Sequence, residues 1–349
     1  MTDKDFCLSS YMAFRYIWKD GVDFAEGFQH KNYLPIPLEE RIPVKTSEDI
    51  DREIQRQFDL LYRKYPNIGI LLSGGMDSAN LASYLKPGSH AYTFTSTSGE
   101  FNADVERAKK YCRKWQLQHH LTEITLDDYE HYTPLVIRHK FAPVHSIEPQ
   151  IYKAAEQARQ DGVQLMIVGE SADLIFGGMD KLISPEWTFD SFARRYTFLD
   201  PALVLTNPVD QSELYECYRT GADAIDYMRF MDEVFAIESS SSYLNAFGAA
   251  WLPYYDPYAC LVMADKLDMT RVRNGEPKYL VRGLYALKYP EMEIPFKIPM
   301  PRPVDAIFKD WEGPKRDEFR KDIPLQQLTG NQKWQLWCAE LFLNMLSSK

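Results

Sequence analysis

Cysteine is sparse: five residues (Cys7, Cys112, Cys217, Cys260, Cys338) lie far apart, with no CxxC pair among them. That spacing excludes a disulfide scaffold and a cysteine-rich zinc module, and it suits a reducing compartment. Long apolar runs are missing too, and nothing approaches the ~20 residues needed to span a bilayer. Met1-Thr2-Asp3-Lys4-Asp5 lacks the apolar stretch of a signal peptide. A cytoplasmic protein without a membrane partner is expected. Positive charge is in deficit, with 40 Lys+Arg against 50 Asp+Glu and a net charge of −10. This argues against a general nucleic-acid binder. No internal repeat or low-complexity tract occurs, and the composition is ordinary apart from 14% aromatics.

The pattern that is present is strand–helix alternation. Residues 67–72 form a short apolar run that ends in a glycine pair, as a buried parallel strand would. Further strands are expected at 90–95, 120–125 and 164–168, with helices at 77–85, 103–115 and 151–159. Such alternation predicts an α/β fold with a doubly wound parallel sheet, whose ligands sit at the carboxyl ends of the strands. After about residue 185 the segments lengthen, and amphipathic helices are expected at 211–237, 257–267, 278–289 and 332–346. The organisation read from this is an N-terminal extension over 1–54 followed by one unit over 55–349. Within that unit the sheet core covers about 66–185 and a mainly helical part about 186–349.

Two glycine-containing loops carry the chemistry. Ser73-Gly74-Gly75-Met76-Asp77-Ser78 follows the first strand of the core. Its glycines let backbone approach a ligand, and its hydroxyls and amides can point donors at an anion. It is not a Walker loop, because Gly-Lys-Ser/Thr is absent. An aspartate beside phosphates requires a divalent cation between them, and Mg²⁺ commonly takes one or two carboxylates plus phosphate oxygens. The loop therefore calls for a second carboxylate and for a lysine from elsewhere. Val168-Gly169-Glu170-Ser171-Ala172-Asp173-Leu174-Ile175-Phe176-Gly177-Gly178 follows a neighbouring predicted strand and offers the carboxylate.

The two loops together resemble the synthetase domain of the asparagine synthetase family, a group of ATP pyrophosphatases with the PP-loop. That family carries an SGGxDS loop and later a Gly-Glu-Gly-x-Asp-Glu-hydrophobic-Phe-Gly-Gly loop. The segments Asp104-Val105-Glu106-Arg107-Ala108, His119-His120, Pro253-Tyr254-Tyr255-Asp256, Arg273 to Arg282 and Tyr289 to Lys297 resemble further family stretches. The resemblance implies Asp77 and Asp173 as Mg²⁺ ligands. It implies Ser73, Gly74, Gly75 and Ser78 around the pyrophosphate end of ATP, and Leu71, Ser96 and Gly169 beside the nucleotide. Lys278 and Lys297 become the candidates for the missing lysine, and Glu170 the acid near an amine nucleophile. The reaction implied is adenylation of a small carboxylate, release of pyrophosphate, and transfer of the acyl group to ammonia or an amine with release of AMP.

Two departures stand out: the family's Asp-Glu pair is Asp173-Leu174 here, and its Gly-Gly-Tyr is Gly177-Gly178-Met179. Other readings are a PP-loop enzyme that adenylates a nucleobase or nucleotide precursor, and a non-catalytic ATP-binding homologue. Position 2 is Thr rather than a catalytic cysteine, and 66 residues precede the first core strand, fewer than the ~100–150 of a typical domain. No intrinsic glutaminase activity is therefore expected. The nitrogen would come from ammonia, from a substrate amine or from a separate glutaminase subunit.

Overall fold

The side-chain alternation of the strands sets the layers. The computed structural model describes residues 1–96, 102–296, 300 and 302–347. Its strands are β1 (Ile42–Val44), β2 (Ile68–Leu71), β3 (His90–Thr95), β4 (Gln118–Glu123), β5 (Leu165–Ile167), β6 (Arg219–Gly221), β7 (Ala224–Ile225), β8 (Tyr254–Tyr255) and β9 (Leu261–Met263). Five of them form one sheet in the order β4-β3-β2-β5-β8, and every neighbouring pair is parallel. Successive residues of a strand point to opposite faces. Ile68, Ile70, Leu72, Ala91, Leu165 and Ile167 accordingly join one core, with helices Ser47–Lys64, Met76–Ala82, Asn102–Trp115 and Tyr279–Lys288. Leu71, Tyr92, Phe94, Met166 and Val168 join the other, with helices Leu126–Lys140, Glu148–Gln160, Ala236–Ala249 and Gly330–Ser347. The result is a parallel sheet with helices on both faces.

Chain order makes a switch point. From β2 the chain proceeds outward through β3 to β4, then returns to place β5 on the other side of β2. The loops leaving β2 and β5 therefore diverge from adjacent strands, which is where open α/β sheets place their ligands. Both glycine-containing loops lie there.

The C-terminal half departs from expectation in two places. The segment 211–237 is not one helix. It runs as helix Ser212–Glu216, then the antiparallel β6–β7 hairpin, then helix from Tyr227 through a π turn at Met231–Phe235 into Ala236–Ala249. The hairpin is held by one tertiary contact and one local bond. The Arg219 guanidinium lies 3.4 Å over the Phe189 ring and donates to the Ala222 carbonyl at 2.8 Å. The segment 257–267 is a 3₁₀ turn (Pro257–Cys260) followed by β9, which pairs in parallel with β1 more than 200 residues earlier. A three-residue apolar run satisfied by so distant a partner carries no local strand signal.

The first residues are part of the core. Phe6, Cys7, Leu8, Tyr11 and Met12, from helix Lys4–Phe14, share a cluster with Trp334, Cys338 and Phe342 of the last helix. The expected division at residue 54 falls inside helix Ser47–Lys64. That helix begins with a capping box in which Thr46 and Asp49 bond each other's backbone.

Candidate active site

The first loop is built by its own hydroxyls. The Ser73 amide donates to Ser78 Oγ at 3.1 Å, the Ser73 and Ser78 hydroxyls lie 3.0 Å apart, and the Gly75 amide donates to Ser73 Oγ at 3.3 Å. Gly74 adopts a φ of +74°, where a side chain is strained, and a Cβ there would meet the Asp104 carbonyl at 2.5 Å. A second element clamps the loop from outside. Arg107 donates through Nε to the Gly74 carbonyl at 2.9 Å and pairs with Asp104. Arg107 was visible in the sequence only as part of a resembling segment. Its role as a clamp depends on the first turns of helix Asn102–Trp115 lying against the loop.

Lys278, Asp77 and Asp173 come together from three separate segments. The Lys278 ammonium lies 2.6 Å from Asp77 Oδ2 and 2.7 Å from Asp173 Oδ1. Lys278 is buried, with a left-handed backbone (φ 54°) just before helix Tyr279–Lys288. Such a conformation costs a non-glycine residue about 1–3 kcal/mol and persists where surrounding contacts over-determine it. Burial alone would lower the lysine pKa, but the two carboxylates reverse this and hold it above the usual range. Asp77 lies in the first turn of helix Met76–Ala82 and Asp173 in the short helix Ala172–Ile175. Gly178 lies directly against Asp173, since a Cβ at that position would overlap its carboxylate. Two carboxylates that reach one cationic point offer the hard oxygen donors that Mg²⁺ prefers, so this pair fits that ion.

Glu170 takes a different direction. Its carboxylate accepts hydrogen bonds from the Ser239 hydroxyl and from Ser240 Oγ, the latter at 3.3 Å. Burial pushes its carboxyl up to about 8. The Ser239 bond opposes that rise, while the charges of Asp256, Asp173 and Glu238 add to it. Asp256, in the segment that follows β8, is itself pushed up to about 6 by burial. It accepts from the Ser171 amide at 2.7 Å and from the Tyr258 amide at 3.0 Å, and the Tyr258 hydroxyl donates to the Asp77 carbonyl at 3.3 Å. Asp256 thereby ties the second loop to the edge strand and, through Tyr258, to the first loop. Ser239 and Ser240 escaped the sequence reading. The run Ser239-Ser240-Ser241-Ser242 inside a helix that packs against the core was the available signal.

The other expected positions are more peripheral. Leu71 ends β2 and Ser96 follows β3, both at the carboxyl edge of the sheet. Gly169 packs closely, and a Cβ there would lie 3.0 Å from Leu81 Cδ1 and 3.4 Å from the Tyr258 ring. Lys297 lies outside the described residues. Leu174 and Met179, which stand where the resembling family has Glu and Tyr, pack against the apolar cluster that contains Ile183, Phe192 and Phe230.

A parallel sheet with acidic, glycine-containing loops at its switch point is the architecture of an α/β protein that binds a ligand at its strand ends. The particular family is given by the sequence: residues 49–274 match the Asparagine synthase family, and the chain belongs to it. A curated Methanocaldococcus jannaschii protein, provisionally named asparagine synthetase 1 (glutamine-hydrolyzing), is 26% identical over 172 residues. That match covers 47% of this chain, which spans 30% of the relative's length. Among solved structures, the glutamine-dependent NAD+ synthetase from Acinetobacter baumannii, in complex with ADP, matches at 18% identity and a TM-score of 0.30. It covers 39% of this chain and 28% of its own. The NMN synthetase from Francisella tularensis matches at 12% identity and a TM-score of 0.29, covering 73% and 99%. Structural likenesses this slight carry no weight for function.

Proposed function

We propose that this chain is an ATP-dependent carbon–nitrogen ligase that activates a small carboxylate as its adenylate, releases pyrophosphate, and passes the acyl group to ammonia or an amine. The observation that carries the reading is the convergence of Asp77, Asp173 and Lys278 beside the Ser73–Ser78 loop. Ser73, Gly74, Gly75 and Ser78 are proposed to hold the β- and γ-phosphates through hydroxyl and amide donors, with Leu71, Ser96 and Gly169 beside the nucleotide. Asp77 and Asp173 would hold Mg²⁺, whose contribution when bound is to neutralise phosphate charge. Lys278, with Lys297 as the second candidate, supplies a fixed positive charge to the departing pyrophosphate.

In the first step a carboxylate oxygen of the substrate attacks the α-phosphorus, and the bond to the bridging oxygen of pyrophosphate breaks. In the second, the nitrogen attacks the acyl carbon and AMP leaves. Glu170 is the proposed acceptor of the proton lost by that nitrogen. A carboxyl raised to about 8 is a far stronger base than an ordinary glutamate. Holding both partners in one site removes much of the entropic part of the barrier. The test is direct: the purified chain is incubated with ATP, Mg²⁺, ammonium and pooled small carboxylic acids, with metabolite extract as a second source of acids and amines. Pyrophosphate release together with a new amide mass is expected. Failure to release pyrophosphate from every pool would count against the reading.

A further inference from the structure

At the opposite end of the sheet, the register assembles a second group of polar side chains. β3 and β4 pair with His90 against Gln118 and Tyr92 against His120. Residues two apart on a strand share a face, so His90, Tyr92 and His120 all lie on one face of the sheet. Helix Glu148–Gln160 covers that face, as the 2.8 Å bond between Thr122 Oγ1 and Gln157 shows, and Asp161 follows at its C-terminal end. His90 opens β3, and Asp161 precedes β5. The group therefore sits at the amino-terminal edge, away from both glycine-containing loops.

The geometry is tight. His90 Nδ1 lies 2.9 Å from His120 Nε2, and the His120 ring stacks on Tyr92 with centroids 4.8 Å apart. Asp161 Oδ2 is 3.6 Å from His120 Nδ1 and accepts from the Tyr92 hydroxyl at 2.8 Å. Two imidazoles at 2.9 Å require at least one neutral ring as acceptor, and a metal would replace the shared hydrogen by taking the lone pair that accepts it. One ligand atom from each of His90, His120 and Asp161 lies within 4.8 Å of the others, and among the described residues no other set of three His, Cys, Asp or Glu does so. The neighbouring His119 plays no part: it lies on the other face and bonds Thr93 Oγ1 at 2.9 Å.

We propose that His90, His120 and Asp161 form a binding site for a borderline divalent metal of the zinc class. Two imidazoles and a carboxylate favour Zn²⁺, Ni²⁺ or Cu²⁺ over Mg²⁺. Tyr92 acts as the outer partner that orients the Asp161 carboxylate. The exposed position of Asp161 leaves the remaining coordination sites to water. The metal would staple β3, β4 and the end of helix Glu148–Gln160 to one another. The proposal is independent of the ligase reading, because none of these residues belongs to the proposed catalytic site.

The test uses the chain freed of any affinity tag, stripped with chelator and dialysed against micromolar Zn²⁺, with bound zinc measured by atomic emission. The wild type is expected to hold one zinc per chain and to melt at a higher temperature with zinc than without it. His120→Ala and Asp161→Asn are expected to lose that zinc, and Tyr92→Phe to bind it about 10–100-fold more weakly. Asp161 is exposed, so Asp161→Asn keeps the test alive if His120→Ala does not fold. With Co²⁺ as a second probe, weak visible bands without thiolate charge transfer are expected; strong charge transfer would assign the metal to a cysteine such as the exposed Cys217. Absence of stoichiometric zinc in the wild type would overturn the proposal and leave a hydrogen-bonded trio only. Zinc retained undiminished in both His120→Ala and Asp161→Asn would overturn it equally.

Discussion

Two buried lysines in this molecule pair with carboxylates in different settings. Lys140 and Glu148 pair at 3.3 Å inside the helical layer, where both are fully buried. Glu148 also accepts from the His145 amide at 2.7 Å and from the Asn245 side chain. One charge meets one charge, and neutral donors fill the remaining positions, so nothing in the group asks for a ligand. At Lys278 a single ammonium faces two carboxylates, both borne on glycine-containing loops at strand ends. That group stands where the sheet opens. The contrast teaches that burial and ion pairing alone do not mark a functional site. What separates the two groups is position: one is enclosed in a helical layer, the other lies on loops at the switch point, where open α/β sheets place their ligands.

The largest expected effect lies at the Lys278 group. Asp77→Asn should lower pyrophosphate release by about 100-fold or more while circular dichroism and thermal melting show an intact fold. If Asp77→Asn and Asp173→Asn both kept full activity, the distinction between the two groups would collapse. Next comes the lysine. Lys297→Ala is expected to reduce turnover far more than ATP affinity, because its charge would act on the departing pyrophosphate. Unchanged turnover there would assign that role to Lys278 alone.

The Lys140–Glu148 pair should respond in the opposite way. Breaking a buried pair leaves an uncompensated charge, so Glu148→Gln is expected to cost about 3–5 kcal/mol of stability in urea unfolding. Activity per folded molecule should be unaltered. A smaller and more specific effect concerns Glu170. Its carboxyl is raised by burial to about 8, so between the ordinary glutamate range and pH 8 the unfolded chain has lost a proton that the folded chain keeps. Stability contributed by this group therefore falls as pH rises through that window. Glu170→Gln should flatten that decline, and in kcat/KM it should remove a limb that otherwise rises toward an apparent pKa near 8. A pH profile identical to wild type would remove Glu170 from the proton-transfer role.

The smallest effect is an expected zero. Burial pushes the thiols of Cys7, Cys112 and Cys338 up to about 12, which leaves them without thiolate character at neutral pH. This polypeptide incubated with glutamine should release no glutamate. Steady release would show that a nucleophile has been overlooked, with the exposed Cys217 the first to replace.

Legibility in the sequence tracks the range of the forces involved. β2 and β5 were legible because apolar runs that lead into glycine are local signals, and β3 because a short, mostly apolar stretch follows the Pro87-Gly88 break; Asp77, Asp173 and Lys278 stood out because each lies in a motif of fixed spacing. Helix Leu126–Lys140 was missed, with Pro134 interrupting its interior. β9 was read as helix because its strand character comes from β1, on the far side of the chain in sequence. The contacts of Ser239, Ser240 and Arg107 were illegible for the same reason. Nothing near them in sequence says that Glu170 or Gly74 will be their partner.

Carboxylate activation through an adenylate leaves a label that no other ATP-dependent ligase route leaves. The carboxylic acid found to support turnover is supplied with ¹⁸O in its carboxyl group, and the phosphorus-containing products are analysed by mass spectrometry. The account predicts one ¹⁸O transferred to AMP, with unlabelled pyrophosphate released in equal amount. Label in orthophosphate together with ADP would mean an acyl phosphate, and would contradict it.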